Sequence, residues 1–444
     1  MTRPVDLALL DNYARRESPD SLQPQRPRER PSPARWPRLD DSAMYGLAGD
    51  YVRALDAHTE ADPVAVLVQF LASFGSVIGR GAHFRAEADR HYSNLFAVIV
   101  GETAKGRKGT SAGHVRAFYA AIDPEWERAR VLEGLSSGEG LIWNARDPIY
   151  KTKINRETGI TEDVLEDAGI EDKRLLLIES EFAGTLKVLS REGNTLSPIL
   201  RRAWDRGDLR SLTKNSPAVA TGAHISIVGH IVAEELRRHL AQTEAANGFG
   251  NRFLWICAKR SKCLPEGGSW SETDAAPFVA RLREAVDHAR RLGDWEITRD
   301  AAARELWSRV YPELSDGRPG MLGAMTARAE AQTMRLALHY ALLDRSQDIG
   351  LPHLVAGLAL WRYAEDSARY IFGDGLGDPV ADAILSALRQ APDGLTRTQM
   401  HAALSRHATA AEIDRALEVL LAAGRVTREP RKTGGRPAEV WRCC

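Results

Sequence analysis

Ser93-Asn94-Leu95-Phe96-Ala97-Val98-Ile99-Val100-Gly101-Glu102-Thr103-Ala104-Lys105-Gly106-Arg107-Lys108-Gly109-Thr110-Ser111 is an apolar run that stops in a turn rich in glycine, lysine and threonine. The residues after it, Ala112 to Ile122, read as a helix. A buried strand leading into such a turn aims backbone N–H groups and a helix N-terminus at one spot, the arrangement that cradles a polyphosphate. The usual spacing is Gly-x-x-x-x-Gly-Lys-Ser/Thr. Gly101 and Gly106 keep it, but Arg107 follows Gly106, and Lys108-Gly109-Thr110-Ser111 comes one step later. Anchoring the register on the lysine puts Arg107 where the second glycine belongs. This register predicts Lys108 as the phosphate lysine and Thr110 or Ser111 as the magnesium hydroxyl. Lys105 and Arg107 would add positive charge, and ATP with Mg2+ would be the ligand. The competing reading is an ordinary strand–turn–helix with a basic turn.

The next landmark is Arg174-Leu175-Leu176-Leu177-Ile178-Glu179-Ser180-Glu181-Phe182, four apolar residues ending in carboxylates. Such a run predicts a buried parallel strand with acids at its C-terminal end, the edge where ligands sit in open α/β sheets. In a phosphate-loop ATPase one acid there serves magnesium and a neighbour orients the attacking water. Glu179 is assigned to magnesium and Glu181 to water, with the two roles open to exchange. Leu196 to Asp205 reads as a helix. Leu209 to Thr221 reads as a hairpin turning near Asn215-Ser216-Pro217, with Lys214 at a tip suited to DNA phosphates. His224 to His230 reads as another short buried strand, whose final His230 would sense the γ-phosphate or cap a helix. Gly248-Phe249-Gly250-Asn251-Arg252-Phe253 offers Arg252 as an arginine finger completing a neighbouring subunit's site. Its alternative is a structural pair within its own domain. In the helical stretch Ala327 to Tyr340, Arg328 and Arg335 share a face, and Arg328 is the better candidate to reach the γ-phosphate.

Among 444 residues, 60 basic and 60 acidic side chains cancel, so no global field steers the chain to nucleic acid and local patches must. The four cysteines form neither a disulfide set nor a zinc-spaced group, which suits a reducing cytoplasm. No apolar run reaches the length of a membrane span, and the N-terminus lacks a secretory core. Residues 1–38, rich in proline and arginine, read as a disordered tail. Residues 39–90 read as a helical region, with Asp62-Pro63 starting a helix. Residues 91–268 would form the phosphate-loop core and 269–373 a helical lid. Residues 374–444 read as a winged helix-turn-helix after the linker Gly373 to Pro379. Its third helix would present Glu412, Asp414 and Arg415, and its basic wing carries Arg431, Lys432 and Arg436, for DNA or for a protein partner.

The run from Trp36 to about Gly268 resembles a bacterial and phage family of P-loop proteins catalogued as a domain of unknown function. His91 to Phe96, Gly101 to Ser111, Gly134 to Leu141, Ile178 to Phe182 and Gly248 to Leu254 carry the resemblance. Members of that family accompany primase–polymerase domains on mobile elements, which implies such a partner here. More distantly, the order of loop, acidic strand, hairpin, sensing strand, arginine and helical lid is similar to AAA+ replicative helicases. The fold class expected is therefore α/β: a P-loop NTPase (RecA/AAA+-like) core with a helical lid and a C-terminal winged helix. The function expected is a cytoplasmic ATP-dependent DNA motor, a helicase or helicase loader, acting as a homo-oligomer such as a hexameric ring. The rivals are a nucleotide-gated DNA-binding regulator and a defence-type NTPase.

Overall fold

The computed structural model describes residues 35–102, 106–154, 161–211, 218–240, 243–244, 247–318, 320–373, 378–404, 408–431 and 438–444. The expected tail therefore falls almost wholly outside the described residues, as do Lys105, Lys214, Lys432 and Arg436; the Arg431 side chain is likewise not described. Two compact units emerge. The first comprises Trp36–Gly317 and Met325–Ile371, and the second is chiefly Phe372–Cys444.

The first unit opens with α1 (Gly46–Asp56) and α2 (Pro63–Ile78). Asp62 caps α2 by accepting the Val64 N–H at 2.9 Å, and Pro63 takes the first helical position, where no N–H is needed. From Val64 to Val77 every residue is buried, as a helix apolar on all sides requires. A hairpin follows, β1 (His83–Ala86) with β2 (Asp89–Tyr92), and then β3 (Phe96–Gly101), buried throughout. The chain continues through α3 (Lys108–Ala120), α4 (Pro124–Arg130), β4 (Val131–Leu132) and α5 (Gly138–Trp143). A second hairpin joins β5 (Ile149–Ile154) to β6 (Thr161–Asp167). Next come β7 (Arg174–Glu179), α6 (Phe182–Leu189) and α7 (Leu196–Asp205). Strands β8 (Leu209–Ser211) and β9 (Ala218–Ala220) pair antiparallel, with the turn between them outside the described residues. They lead into β10 (His224–Val232), α8 (Ala233–His239) and β11 (Phe253–Ala258).

Strands β11, β3, β10, β7 and β4 form, in that order, one wholly parallel sheet flanked by helices. Phe96 stands level with Phe253 and Ile227, and Gly101 with Ala258 and Val232. The unit is thus mixed α/β. Helix α2 lies against β3, β7, β10 and β11, and α3 packs on α2. At the crossing of α2 with the sheet, the Gly75 carbonyl meets His224 Nε2 at 2.8 Å and the Ser93 hydroxyl at 3.3 Å. A Cβ on Gly75 would lie 1.9 Å from the Ser93 carbonyl oxygen, so only glycine allows this approach.

Residues beyond 269 are helical: α9 (Glu272–Leu292), α10 (Ala301–Ser315), α11 (Ala329–Leu343) and α12 (Leu351–Phe372). Between them β12 (Thr298–Arg299) pairs with β13 (Asp348–Ile349). Helices α9 and α11 pack on α1 and α2, so the N-terminal helices, the sheet and these helices share one compact unit. Residues 39–90 are not wholly helical, since β1 and part of β2 lie there.

In the second unit, α13 (Pro379–Arg389), α14 (Arg397–Ala403) and α15 (Ala410–Ala422) accompany a three-stranded antiparallel sheet. Its order is β14 (Leu395–Thr396), β16 (Ala438–Cys443), β15 (Val426–Arg431). Ile384, Leu388, Met400, Ile413, Leu417, Leu420 and Trp441 fill its core. Thr396 with Gln399 and Thr409 with Glu412 form capping boxes. No helix among the described residues is long and apolar enough to cross a membrane.

Candidate functional site at the C-terminal edge of the sheet

Gly101 ends β3, and α3 begins at Lys108. Arg107, just before it, has φ 54° and ψ 26°, left-handed backbone that glycine adopts most readily. That conformation fits the register anchored on Lys108. The Arg107 side chain turns away to Glu60, 2.7 Å from its Nε. Glu60 also accepts the Leu264 N–H at 2.7 Å and binds Arg260. The Leu264 amide, then Arg260 and the Arg107 charge hold the Glu60 carboxyl down at about 2. Arg107 is thus engaged with a carboxylate, against the expectation that it serves phosphate. Gly106 is buried, Gly109 is exposed, and a Cβ on Gly109 would meet nothing within 4 Å.

Burial lowers the Lys108 ammonium below its usual pKa, with the Glu235 carboxylate opposing the shift. Thr110 is exposed on the first turn of α3, whereas Ser111 is fully buried. The Ser111 hydroxyl donates to the Lys108 carbonyl at 2.6 Å and accepts from Gln69 Nε2 at 2.6 Å. Of the two candidate magnesium hydroxyls, Ser111 is consumed inside the protein and Thr110 is the accessible one. Gln69 Oε1 in turn meets His230 Nε2 at 3.1 Å. A buried relay thus runs from β10 through α2 to the first turn of α3. Burial, reinforced by the Lys108 charge, lowers His230 to about 4, so it is neutral at pH 7. His230 is an internal relay residue, 4 % exposed, placed behind Lys108.

Glu179 ends β7 level with Gly229 of β10. One of its oxygens accepts the Gly134 and Leu135 N–H groups at 2.9 and 2.8 Å, and Thr185 approaches the other at 3.5 Å. Burial pushes its carboxyl up; the two amides pull against that, and the Glu133 charge adds to the rise. Glu179 therefore anchors the turn after β4. Glu181 is exposed at the N-cap of α6 and makes no side-chain cap bond. Glu133, at the end of β4, binds the Ser180 hydroxyl and its N–H, and its charge is felt by both Glu179 and His230. Among the described residues no three His, Cys, Asp or Glu side chains gather as a metal cluster. Mg2+ requires less, one or two protein oxygens with phosphates and water. Thr110 is the accessible hydroxyl on the first turn of α3, and Glu133 and Glu179 stand at strand ends on the same edge of the sheet.

Two expected residues lie elsewhere. Arg252 precedes β11 at the opposite, N-terminal edge of the sheet. It is 6 % exposed and forks onto Asp205, at 3.2 and 2.6 Å, while binding the Gly248 carbonyl. This is the structural pairing, and it runs against an exposed finger. Arg328 precedes α11, 3.6 Å from the same Asp205 and over the Trp204 ring. It does not approach Lys108, because α11 is held at that same far edge by Arg335, which binds Asn94 at 2.8 and 2.7 Å. In the second unit, Arg415 is exposed but 3.3 Å from Asp378. Glu412 serves its capping box and Asp414 pairs with Arg397 at 2.8 Å, so neither is presented for base reading.

Gln69, Glu133 and Glu235 escaped the sequence reading. A glutamine inside the apolar run Pro63 to Ile78 is the signal that marks Gln69. Glu133 stands beside a two-residue strand too short to show a period. A comparison with protein-family models finds no match to this chain, nor does one with curated proteins.

Proposed function

We propose that the C-terminal edge of the parallel sheet is an ATP site and that the protein is an ATPase of the P-loop class coupled to DNA. The observation that carries this reading is Lys108 at the first position of α3, after a left-handed residue, at the sheet edge where β7 ends in Glu179 and β4 runs into Glu133 and where the Lys108 and Glu133 charges both act on His230. A polyphosphate there meets the N–H groups of the α3 terminus and the lysine charge. Thr110 would hold Mg2+ with the phosphates, and the metal would neutralise developing charge on the transferred group. Glu133, exposed and near His230, orients the attacking water, while Glu179 and the Gln69 relay keep the turn and the helix terminus in place. Within this proposal the second unit is a winged helix, the molecule is a homo-oligomer, and the work is helicase or helicase-loader activity alongside a primase–polymerase.

A second reading has an observation in its favour. Glu179 is tied by backbone amides and Arg252 by Asp205, which suits a nucleotide-gated DNA-binding switch that turns over slowly. ATP hydrolysis measured with and without single-stranded DNA separates the two. Turnover stimulated by DNA supports the motor. Tight ATP binding with turnover that DNA leaves unchanged supports the switch.

A further inference from the structure

A cavity of about 620 Å³ opens at the far edge of the sheet, bounded by the β1–β2 hairpin, α10 and the start of α11. Strand β3 alone separates this edge from Lys108 by about 17 Å, at about 3.3 Å per residue. The Arg299 guanidinium sits between two rings, 5.0 Å from Phe84 and 4.9 Å from Trp307. Among the described residues it has no carboxylate partner; its one side-chain contact of hydrogen-bond type is Met334 Sδ at 3.9 Å. Burial lowers its pKa, and Arg304 lowers it further. Arg328 also faces the cavity. Behind it, Arg252, Arg328 and the wholly buried Arg335 stand over the Trp204 ring and share Asp205 as their acid, and burial brings Arg335 down to about 9. The wall is therefore rich in desolvated guanidinium groups, of which Arg299 has no acid beside it among the described residues.

Two further groups are unspent there. His91 Nδ1 and Asn251 Oδ1, from residues lining the cavity, are buried without a hydrogen-bond partner. On α10, Trp307 and Tyr311 stand one turn apart with ring centroids 5.6 Å from each other, and Tyr311 is 47 % exposed. An aromatic pair beside an uncompensated guanidinium matches an anion that carries a planar ring. The cavity volume suits a small ligand. Of the three arginines in its lining, Arg85 pairs with Glu296 at 3.1 Å and Arg328 lies 3.6 Å from Asp205, which leaves Arg299 as the guanidinium without an acid among the described residues, enough for one phosphate rather than three.

We propose that this cavity binds a single nucleotide unit, its base on the Trp307–Tyr311 face and its phosphate on Arg299 and Arg328. The unit is either a free nucleoside monophosphate or one residue of a single DNA strand. The site is separate from the Lys108 site and does not rest on the ATPase reading. The test titrates the full chain carrying Lys108→Ala with thymidine monophosphate and with a short oligothymidylate, following tryptophan fluorescence. Binding is expected, weakened about tenfold by Arg299→Met and again by Tyr311→Ala, the loss that removing a stacking partner brings. Tyr311 is half exposed, so its variant keeps the test valid should Arg299→Met fail to fold. Much tighter binding of the oligomer assigns the site to a strand; equal binding assigns it to free nucleotide. Failure of both probes to bind overturns the proposal, as does binding indifferent to both variants.

Discussion

Gln69 holds two elements of the candidate site at once, through its amide N–H on Ser111 and its amide oxygen on His230. Replacing it by leucine keeps the volume but leaves a buried imidazole N–H unpaired and takes one donor from the Ser111 hydroxyl. Gln69→Leu is expected to cost about 1–3 kcal/mol, the desolvation penalty of an unmade buried hydrogen bond. Urea unfolding of the variant beside the parent measures it, and a loss under a few tenths of a kcal/mol would show the relay to be incidental. At this scale the sequence is informative about residue type and weak about partners. Lys108 and its register are readable because turn chemistry is local. The Arg107–Glu60 and Arg252–Asp205 pairs are not, because 47 positions separate each pair and nothing local marks their meeting.

Elements were legible where burial writes a pattern. Four apolar residues before Glu179 mark β7, β3 is apolar throughout, and β10 carries an apolar core between its histidines, so the three central strands stand out. Helix α7 shows the 3.6-residue period of one buried face, and Asp62-Pro63 announces α2. The hairpins β1–β2 and β5–β6 did not stand out, since the first is short and half exposed, the second is almost wholly exposed, and both are rich in charge. The crossing of α2 over the sheet supplies the prediction at this scale. Gly75→Ala would drive a methyl group into the Ser93 carbonyl and towards His339 Nε2, 2.6 Å away. The helix must then lift, at a cost of about 1–3 kcal/mol as in other overpacked interiors. Thermal melting tests this, and an unchanged midpoint would mean that α2 does not lie where described.

For the molecule as a whole, acid is the revealing variable. Burial holds His224 at about 3 and His230 and His339 at about 4, against an ordinary 6.5. Each stays neutral in the folded chain while its unfolded counterpart takes up a proton below pH 6.5. Stability is therefore full above pH 6.5 and falls as pH drops towards 4. Three such groups together give a slope of up to about 4 kcal/mol per pH unit within that window. Urea midpoints recorded from neutral pH down to about 5 follow it; a flat profile would contradict the burial of these imidazoles.

Hydrolysis of ATP at the Lys108 edge of the sheet is what we propose. Phosphate release from ATP by the full chain in the presence of Mg2+ and single-stranded DNA, beside Lys108→Ala, tests it most directly. Turnover by the parent is expected, with a loss of about a hundredfold or more in the variant, the scale on which removing one charge-stabilising donor acts. Turnover that survives Lys108→Ala undiminished, or a parent chain that neither binds nor hydrolyses ATP, would contradict it.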